Sequence, residues 1–260
     1  MRLTRMIFLA AGLAALTACD SDEVTTPDLP PLGQVRFINA VNDTLAVDIR
    51  AIDQVEFSPV VSDLRFRGGT NHQPIEAKSR KFRVFATSRT IGVTSVPLMD
   101  ATVDIPANSR ITLLLVGSAR SKNLQFVTIN DDVSAPPAGM IAVRVVNAAT
   151  GAIDGYITTA ATDPIGGAAA AANVGPLAQS AYVTRAIGNA ALRITAAGST
   201  TATASAAGPT STAEAGKLPA AAVNSEGTKF SVYYFGPGVG NNSAMSTPGA
   251  VWFVDRNPAD

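Results

Sequence analysis

The chain repeats itself, and the period of the repeat limits what it can fold into. Val35-Arg36-Phe37-Ile38-Asn39-Ala40-Val41 recurs as Val143-Arg144-Val145-Val146-Asn147-Ala148-Ala149, 108 residues later. Phe82-Arg83-Val84-Phe85-Ala86 then lines up with Leu192-Arg193-Ile194-Thr195-Ala196, and the stretch 109–117 (SRITLLLVG) with 228–236 (TKFSVYYFG), in the same order. A period near 110 residues is too long for a solenoid unit and suits a complete sandwich domain. The expected organisation is two tandem domains, 34–133 and 139–257, joined by the short, stiff segment Ala135-Pro136-Pro137-Ala138-Gly139.

Within each copy the pattern is that of strands. Residues 45–50 (LAVDIR) and 101–105 (ATVDI) alternate apolar with small or charged residues, as a strand with one wet face does. Ile111 to Val116 and Phe230 to Phe235 are unbroken apolar runs bounded by Gly117 and Gly236, which places them as central strands. No stretch after the N-terminal segment keeps a 3.6-residue apolar stripe over three turns. The fold class is therefore all-β, two tandem Ig-like or transthyretin-like β-sandwiches after a cleaved signal peptide, with helix nearly confined to that peptide.

The second copy should have the thinner core. Of the chain's 260 residues 45 are alanine, and 158–216 is made largely of Ala, Gly, Thr and Ser, which bury little area. Residues 214–227 look like an insertion relative to the first copy, with room for one short helical turn.

The N-terminus has the three-part layout of an export signal. Arg2 and Arg5 precede an uncharged apolar run from Met6 to Ala18, about 13 residues against the roughly 20 that a membrane-spanning helix needs. Leu16-Thr17-Ala18-Cys19 resembles the lipobox of bacterial lipoproteins. That resemblance implies cleavage after residue 18, acylation of Cys19 with palmitate-type chains, and a protein held by lipid at the inner or outer membrane, facing periplasm or exterior. Two or three acyl chains would anchor it durably. Residues 19–33, with four acids, no bases and three prolines after the cysteine, read as an acidic, extended tether.

Composition removes several classes of function. Twenty bases balance twenty acids, so the basic footprint of a nucleic-acid binder is missing. His72 and Cys19 are the only residues of their kinds, which excludes a His-rich or Cys-rich zinc site, a CxxC redox pair and a disulfide framework. No cofactor is implied, no metal site is assigned, and the chain is expected not to be an enzyme. A serine nucleophile would have only His72 as base, and that residue, in the polar stretch Arg67 to Pro74, is expected to be exposed and unpartnered. Gly236-Pro237-Gly238-Val239-Gly240-Asn241-Asn242 reads as a hairpin loop rather than a phosphate cradle. Asn130-Asp131-Asp132, with Asp43 or Asp48, offers calcium-type oxygens, but solvated turn acids are the plainer reading.

One charged grouping stands out. Arg65, Arg67, Lys78, Arg80, Lys81 and Arg83 suggest a basic strip for an anionic partner, with charged residues that discourage edge-to-edge pairing as the alternative.

The Val-Arg-x-x-Asn-Ala opening, Val47-Asp48 after it, the Thr112 to Gly117 strand, a strand ending in acidic residues, a Pro-rich joint and a second Val-Arg-x-x-Asn resemble the bacterial domain of unknown function 4397 family. This implies secreted or lipid-anchored β-sandwiches, often in tandem, with no assigned activity. Many of its members carry His where this chain has Asn39 and Asn147. The expected role is a non-catalytic, lipid-anchored envelope protein for adhesion, scaffolding or partner binding, an envelope protein or anionic polymer being the partner and nucleic acid not. The alternative is a polysaccharide enzyme or accessory protein using carboxylates such as Asp48, Glu76 and Asp104. Trp252, Tyr233 and Tyr234 could stack on sugars, but they occur in apolar strands.

Overall fold

The computed structural model describes residues 29–53, 60–212 and 220–260; the expected signal, Cys19, most of the tether and residues 214–219 of the expected insertion lie outside them. In the first half are β1 (Leu32–Asn39), β2 (Ala46–Ala51), β3 (Val61–Arg65), β4 (Gln73–Glu76), β5 (Ser79–Ala86), β6 (Pro97–Asp104), β7 (Arg110–Val116) and β8 (Gln125–Asn130). In the second are β9 (Met140–Asn147), β10 (Ile153–Thr158), β11 (Ala171–Val174), β12 (Val183–Ala186), β13 (Ala191–Ala196), β14 (Ala202–Ala207), β15 (Lys229–Phe235) and β16 (Gly249–Arg256).

The sheets run β4-β1-β7-β8 and β3-β2-β5-β6 in the first half, and β12-β9-β15-β16 and β11-β10-β13-β14 in the second. Each strand therefore matches the one eight places later, and the three repeated stretches fall on equivalent strands: β1 and β9, β5 and β13, β7 and β15. Among the described residues helix is limited to α1 (Ile91–Thr94) and a 3-10 turn at Gly240–Met245. No helix there is long and apolar enough to cross a membrane. Residues 221–227 form bends and turns; the remainder of the segment expected to have room for a helical turn, 214–219, lies outside the described residues.

Both central strands, β7 and β15, lie within their sheets, β7 with all but its first residue buried and β15 buried throughout. The reason is that they have no wet face. Along β1, Val35, Phe37 and Asn39 point into the first half's own core, while Arg36 and Ile38 point the other way. That second face meets the other half. Ile38, Leu114, Val116 and Ile129 join Val146, Tyr233 and Phe235 in a third apolar cluster, between the sheets containing β1 and β9. Four sheets are thus stacked face to face, and from Pro31 to Asp260 the chain is one compact unit. A stiff joint between separate domains is what the prolines suggested; the halves are instead fused through a buried seam.

Two directions matter for the site. The chain enters at Leu32, whose carbonyl accepts from the Asn108 amide, and the C-terminal Asp260 is held at the same end by Arg110 at 2.9 Å. β1 runs from there for eight residues, roughly 25 Å, to the far end, where the β1–β2 and β7–β8 loops sit. The second half's β15–β16 loop reaches that end too, Pro237 O accepting from Asn42 at 2.9 Å.

Candidate functional site

The seam is built from pairs of residues one repeat apart. Arg36 donates through Nε to Thr112 of its own half at 2.9 Å, and crosses the seam to Asp255 at 2.7 Å and to the Val254 carbonyl at 3.0 Å. Arg144 does the same in reverse, to Ser231 at 2.6 Å, to Asp131 across the seam, and to the Asn130 carbonyl at 2.9 Å. Each aspartate also accepts from its own half: Asp131 from Thr112 at 2.7 Å, Asp255 from Ser231 at 2.6 Å. The residue just before the short edge strand completes each set. Tyr182 donates to Asp255 at 2.8 Å, and His72 meets Asp131 at 2.8 Å. The Arg36 guanidinium also lies 5.6 Å from the Phe253 ring, and Arg144 lies 4.8 Å from the Tyr182 ring.

These charges are buried, and burial alone would disfavour them. For Arg36 burial is the largest single influence, yet Asp255, Tyr233 and Asp131 together outweigh it and raise its pKa. Asp131 is likewise opposed by burial but held below the usual carboxylate range by His72, Arg36, Arg144 and Thr112. Burial pushes the Tyr182 hydroxyl well above its ordinary range, so it stays a neutral donor. Two arginines against two aspartates leave the seam neutral when His72 is uncharged. Such a network adds little net stability over an apolar seam, but it tolerates one alignment of the halves.

The consequence is a shaped cleft at the far end. A cavity of 670 Å³ opens there between the halves, lined by Ala40, Asn42 and Val116 on one side and by Ala148, Gly151 and Tyr234 on the other. Among the described residues no Asp, Glu, Lys or Arg lines it, so its walls suit an uncharged or apolar group. The Asn residues of the repeated motif shape the rim. Asn39 donates to Leu64 O at 2.9 Å and accepts from the Val41 amide at 2.9 Å; Asn147 donates to Val174 O at 2.9 Å and accepts from Ala149 at 2.9 Å. Each ties its half's two sheets together where the chain turns.

Several candidates lie elsewhere than expected. His72 is not exposed and unpartnered: its side chain is 8% exposed and engaged with Asp131. Asp131 is not a solvated turn acid either: it directly follows β8, and its carboxylate faces the seam. Asp132 pairs with Lys229 at 2.5 Å, which brings its pKa down to about 2. The Asp43 carboxylate is taken up by Ser118 and the amides of Ala119 and Arg120, and that of Asp48 by Thr87 and the Asp63 amide. Among the described residues no group of three or more His, Cys, Asp or Glu is placed to hold a metal.

The six bases do not share one surface. Lys81 and Arg83 do face outward from β5 opposite the buried Phe82 and Val84, with Arg83 gripping Asp100 at 2.6 and 2.7 Å. Arg80, by contrast, is 1% exposed and sits between Asp53 and Glu76 at 3.2 and 3.3 Å, because its side chain points to the inner face. Arg67 turns to the other half and donates to the carbonyls of Gly236 and Thr247 at 2.9 and 2.5 Å. Lys78 pairs with Glu76 at 2.7 Å, and Arg65, well exposed, lies 3.5 Å from Asp63. Of the possible carboxylate set, Glu76 is thus occupied by Lys78 and Arg80, and Asp48 is already hydrogen-bonded. Trp252 packs edge-on against Phe230 at 5.4 Å and donates to Ala206 O at 3.1 Å, a core role. The Gly236 to Asn242 stretch lies in the hairpin connection between β15 and β16.

Fold and seam together define a class: paired β-sandwiches fused by reciprocal exchange of buried charges. Residues 33–156 match the family described as Domain of unknown function (DUF4397), which confirms for the first half the resemblance carried by the Val-Arg-x-x-Asn motif. The matched span passes the joint and includes β9, so it holds both Asp131 and Arg144. Comparison with curated proteins finds no match. Among solved structures, the C-terminal domain of AlgF from P. aeruginosa is similar at 17% identity and a TM-score of 0.25, over 38% of this chain and 96% of that one; so slight a likeness carries no argument.

Proposed function

We propose that this protein is a non-catalytic binding module of the cell envelope, lipid-anchored through Cys19, that recognises its partner in the cleft between its two sandwiches. The observation that carries the reading is the cleft itself: it draws on loops of both halves, and the Arg36–Asp255 and Arg144–Asp131 exchanges hold those halves in register. A preformed site spends little binding energy on ordering. The uncharged lining favours a neutral or apolar partner segment over an anionic polymer.

The test is Gly151→Trp, since a Cβ at Gly151 meets nothing within 4 Å and the ring would fill the cleft without disturbing the backbone. Residues 31–260 and their Gly151→Trp variant would be used for capture from envelope extract, with both melting temperatures measured. A component retained by the first and lost by the second, at equal melting temperature, is expected. Equal retention would remove the cleft from the reading. Incorporation of labelled palmitate by the full chain and its absence in Cys19→Ala would test the anchor separately.

A further inference from the structure

The far end of the molecule carries an unusual share of exposed aliphatic side chains. Leu45, Ile91, Val93, Val96, Val239 and Met245 are 56, 82, 45, 56, 45 and 41% exposed, and all lie on three loops there: β1–β2, β5–β6 and β15–β16. The loops adjoin. The Thr87 amide donates to Ala46 O at 3.1 Å, which brings the α1 loop beside Leu45. Asn242 donates to the carbonyls of Asn42 and Thr44 at 3.1 and 2.7 Å, which brings the β15–β16 loop to its other side.

The exposed charge on these loops has one sign. Together with the β7–β8 loop they carry exposed Arg89, Arg120 and Lys122, against Asp43 as the single acid. Asp43 is buried, its carboxylate turned inward onto Ser118, Ala119 and Arg120. These loops therefore present aliphatic tips and cations together, with no acid facing out among them. Scattered apolar residues need no explanation, but a cluster of them does. Aliphatic tips on separate loops enter a headgroup layer readily, and the flanking cations match its phosphates.

We propose that this end docks on an anionic lipid surface, Ile91, Val93 and Leu45 entering the headgroup layer while Arg89, Arg120 and Lys122 meet phosphate. This goes beyond the cleft and the N-terminal anchor, since it concerns residues present in a chain without Cys19. Among the described residues all three apolar clusters are formed from Val35 onward, and Pro31–Asp260 is a compact unit by itself, which is the part used in the test.

The experiment is co-sedimentation of residues 31–260 with vesicles of phosphatidylcholine alone or mixed equally with phosphatidylglycerol. Binding to the mixed vesicles only, weakened by salt, is expected. Arg89→Ala with Lys122→Ala should lower partitioning about 25-fold, at about fivefold per cation. Ile91→Ser with Val93→Ser should reduce it further, and since these side chains are exposed the melting temperature should stay constant. Arg120 is left in place because it lies against Gly240. No binding to mixed vesicles, or equal binding by all three proteins, would overturn the proposal, as would capture of a protein through this face with vesicles ignored.

Discussion

The two halves fill the same slot with different side chains. In the first, Phe37, Ile49 and Phe82 meet between the sheets, all essentially buried. Their counterparts in the second are Val145, Gly155 and Leu192, as the equivalent pairings Ile49–Val84 and Gly155–Ile194 place them. A Cβ at Gly155 would come within 2.8 Å of the Val145 side chain, so the space left by the lost aromatic and isoleucine is already closed. Bulk returns on the other sheet. Phe230, Tyr234 and Trp252 stand where the first half has Ile111, Leu115 and Thr128. Packing conserves the volume of a layer, and any position may trade with its neighbour. A buried hydrogen bond cannot be traded in this way, and so Arg36, Asn39 and Asp131 reappear unchanged as Arg144, Asn147 and Asp255.

If that contrast is right, breaking the polar exchange should cost most. Arg36→Ala and Arg144→Ala each leave a buried aspartate uncompensated, and each should destabilise by about 3–5 kcal/mol in urea denaturation. Near-equal losses would sharpen the reciprocity; a loss under about 1 kcal/mol for either would break it.

Next come the traded positions. Phe82→Ala should cost about 3–5 kcal/mol and Leu192→Ala about 2–5 kcal/mol. Gly155→Ile, copying the first half, should cost about 1–3 kcal/mol by overpacking. Adding Val145→Ala should recover part of it. Strict additivity of those two changes in a double-mutant cycle would show that the layer does not share its volume.

The smallest effect tests where the exchange departs from symmetry. His72 stands where the second half has Tyr182, and burial, helped by Arg36 and Arg110 and opposed by Asp131, lowers its pKa. The unfolded chain therefore takes up the proton first. Stability should be complete above the ordinary histidine value, about 6.5, and fall as the pH drops from there towards the folded value, at no more than about 1.4 kcal/mol per pH unit. Asp131, held low, adds its own loss only below about pH 4. His72→Tyr should flatten the fall of the melting temperature that sets in as the pH drops below about 6.5. An unchanged slope in that variant would assign the acid sensitivity to another group.

Much of the fold was legible because strands announce themselves by period. The alternation at 45–50 and the unbroken runs at 111–116 and 230–235 placed β2, β7 and β15, and the shared order of three segments implied a shared topology. The candidate site was far less legible. The motif residues Arg36 and Arg144 were visible as a repeated pattern, but an arginine in an apolar strand does not reveal its partner. Asp131 read as a turn acid and His72 as a loop residue because both lie at strand ends, where exposure is the ordinary outcome. A usable signal was present: His72 and Tyr182 occupy the same place before β4 and β12, and Asp131 and Asp255 each lie near the end of their copy. Arg80 misled in the opposite direction, since a charge beside Lys81 reads as surface until the pleat turns it inward against Asp53 and Glu76.

By itself, the sequence determined the all-β class, the two copies and their central strands, because backbone pairing and side-chain alternation are local and repeat with a fixed period. Only the tertiary structure decided that the copies are one body. That fact depends on Arg36 and Arg144 meeting Asp255 and Asp131, partners 219 and 13 residues away, across a face whose burial no local pattern specifies. A charge is tolerated there because the opposite charge, its hydrogen bonds and the excluded water all come together in space at once.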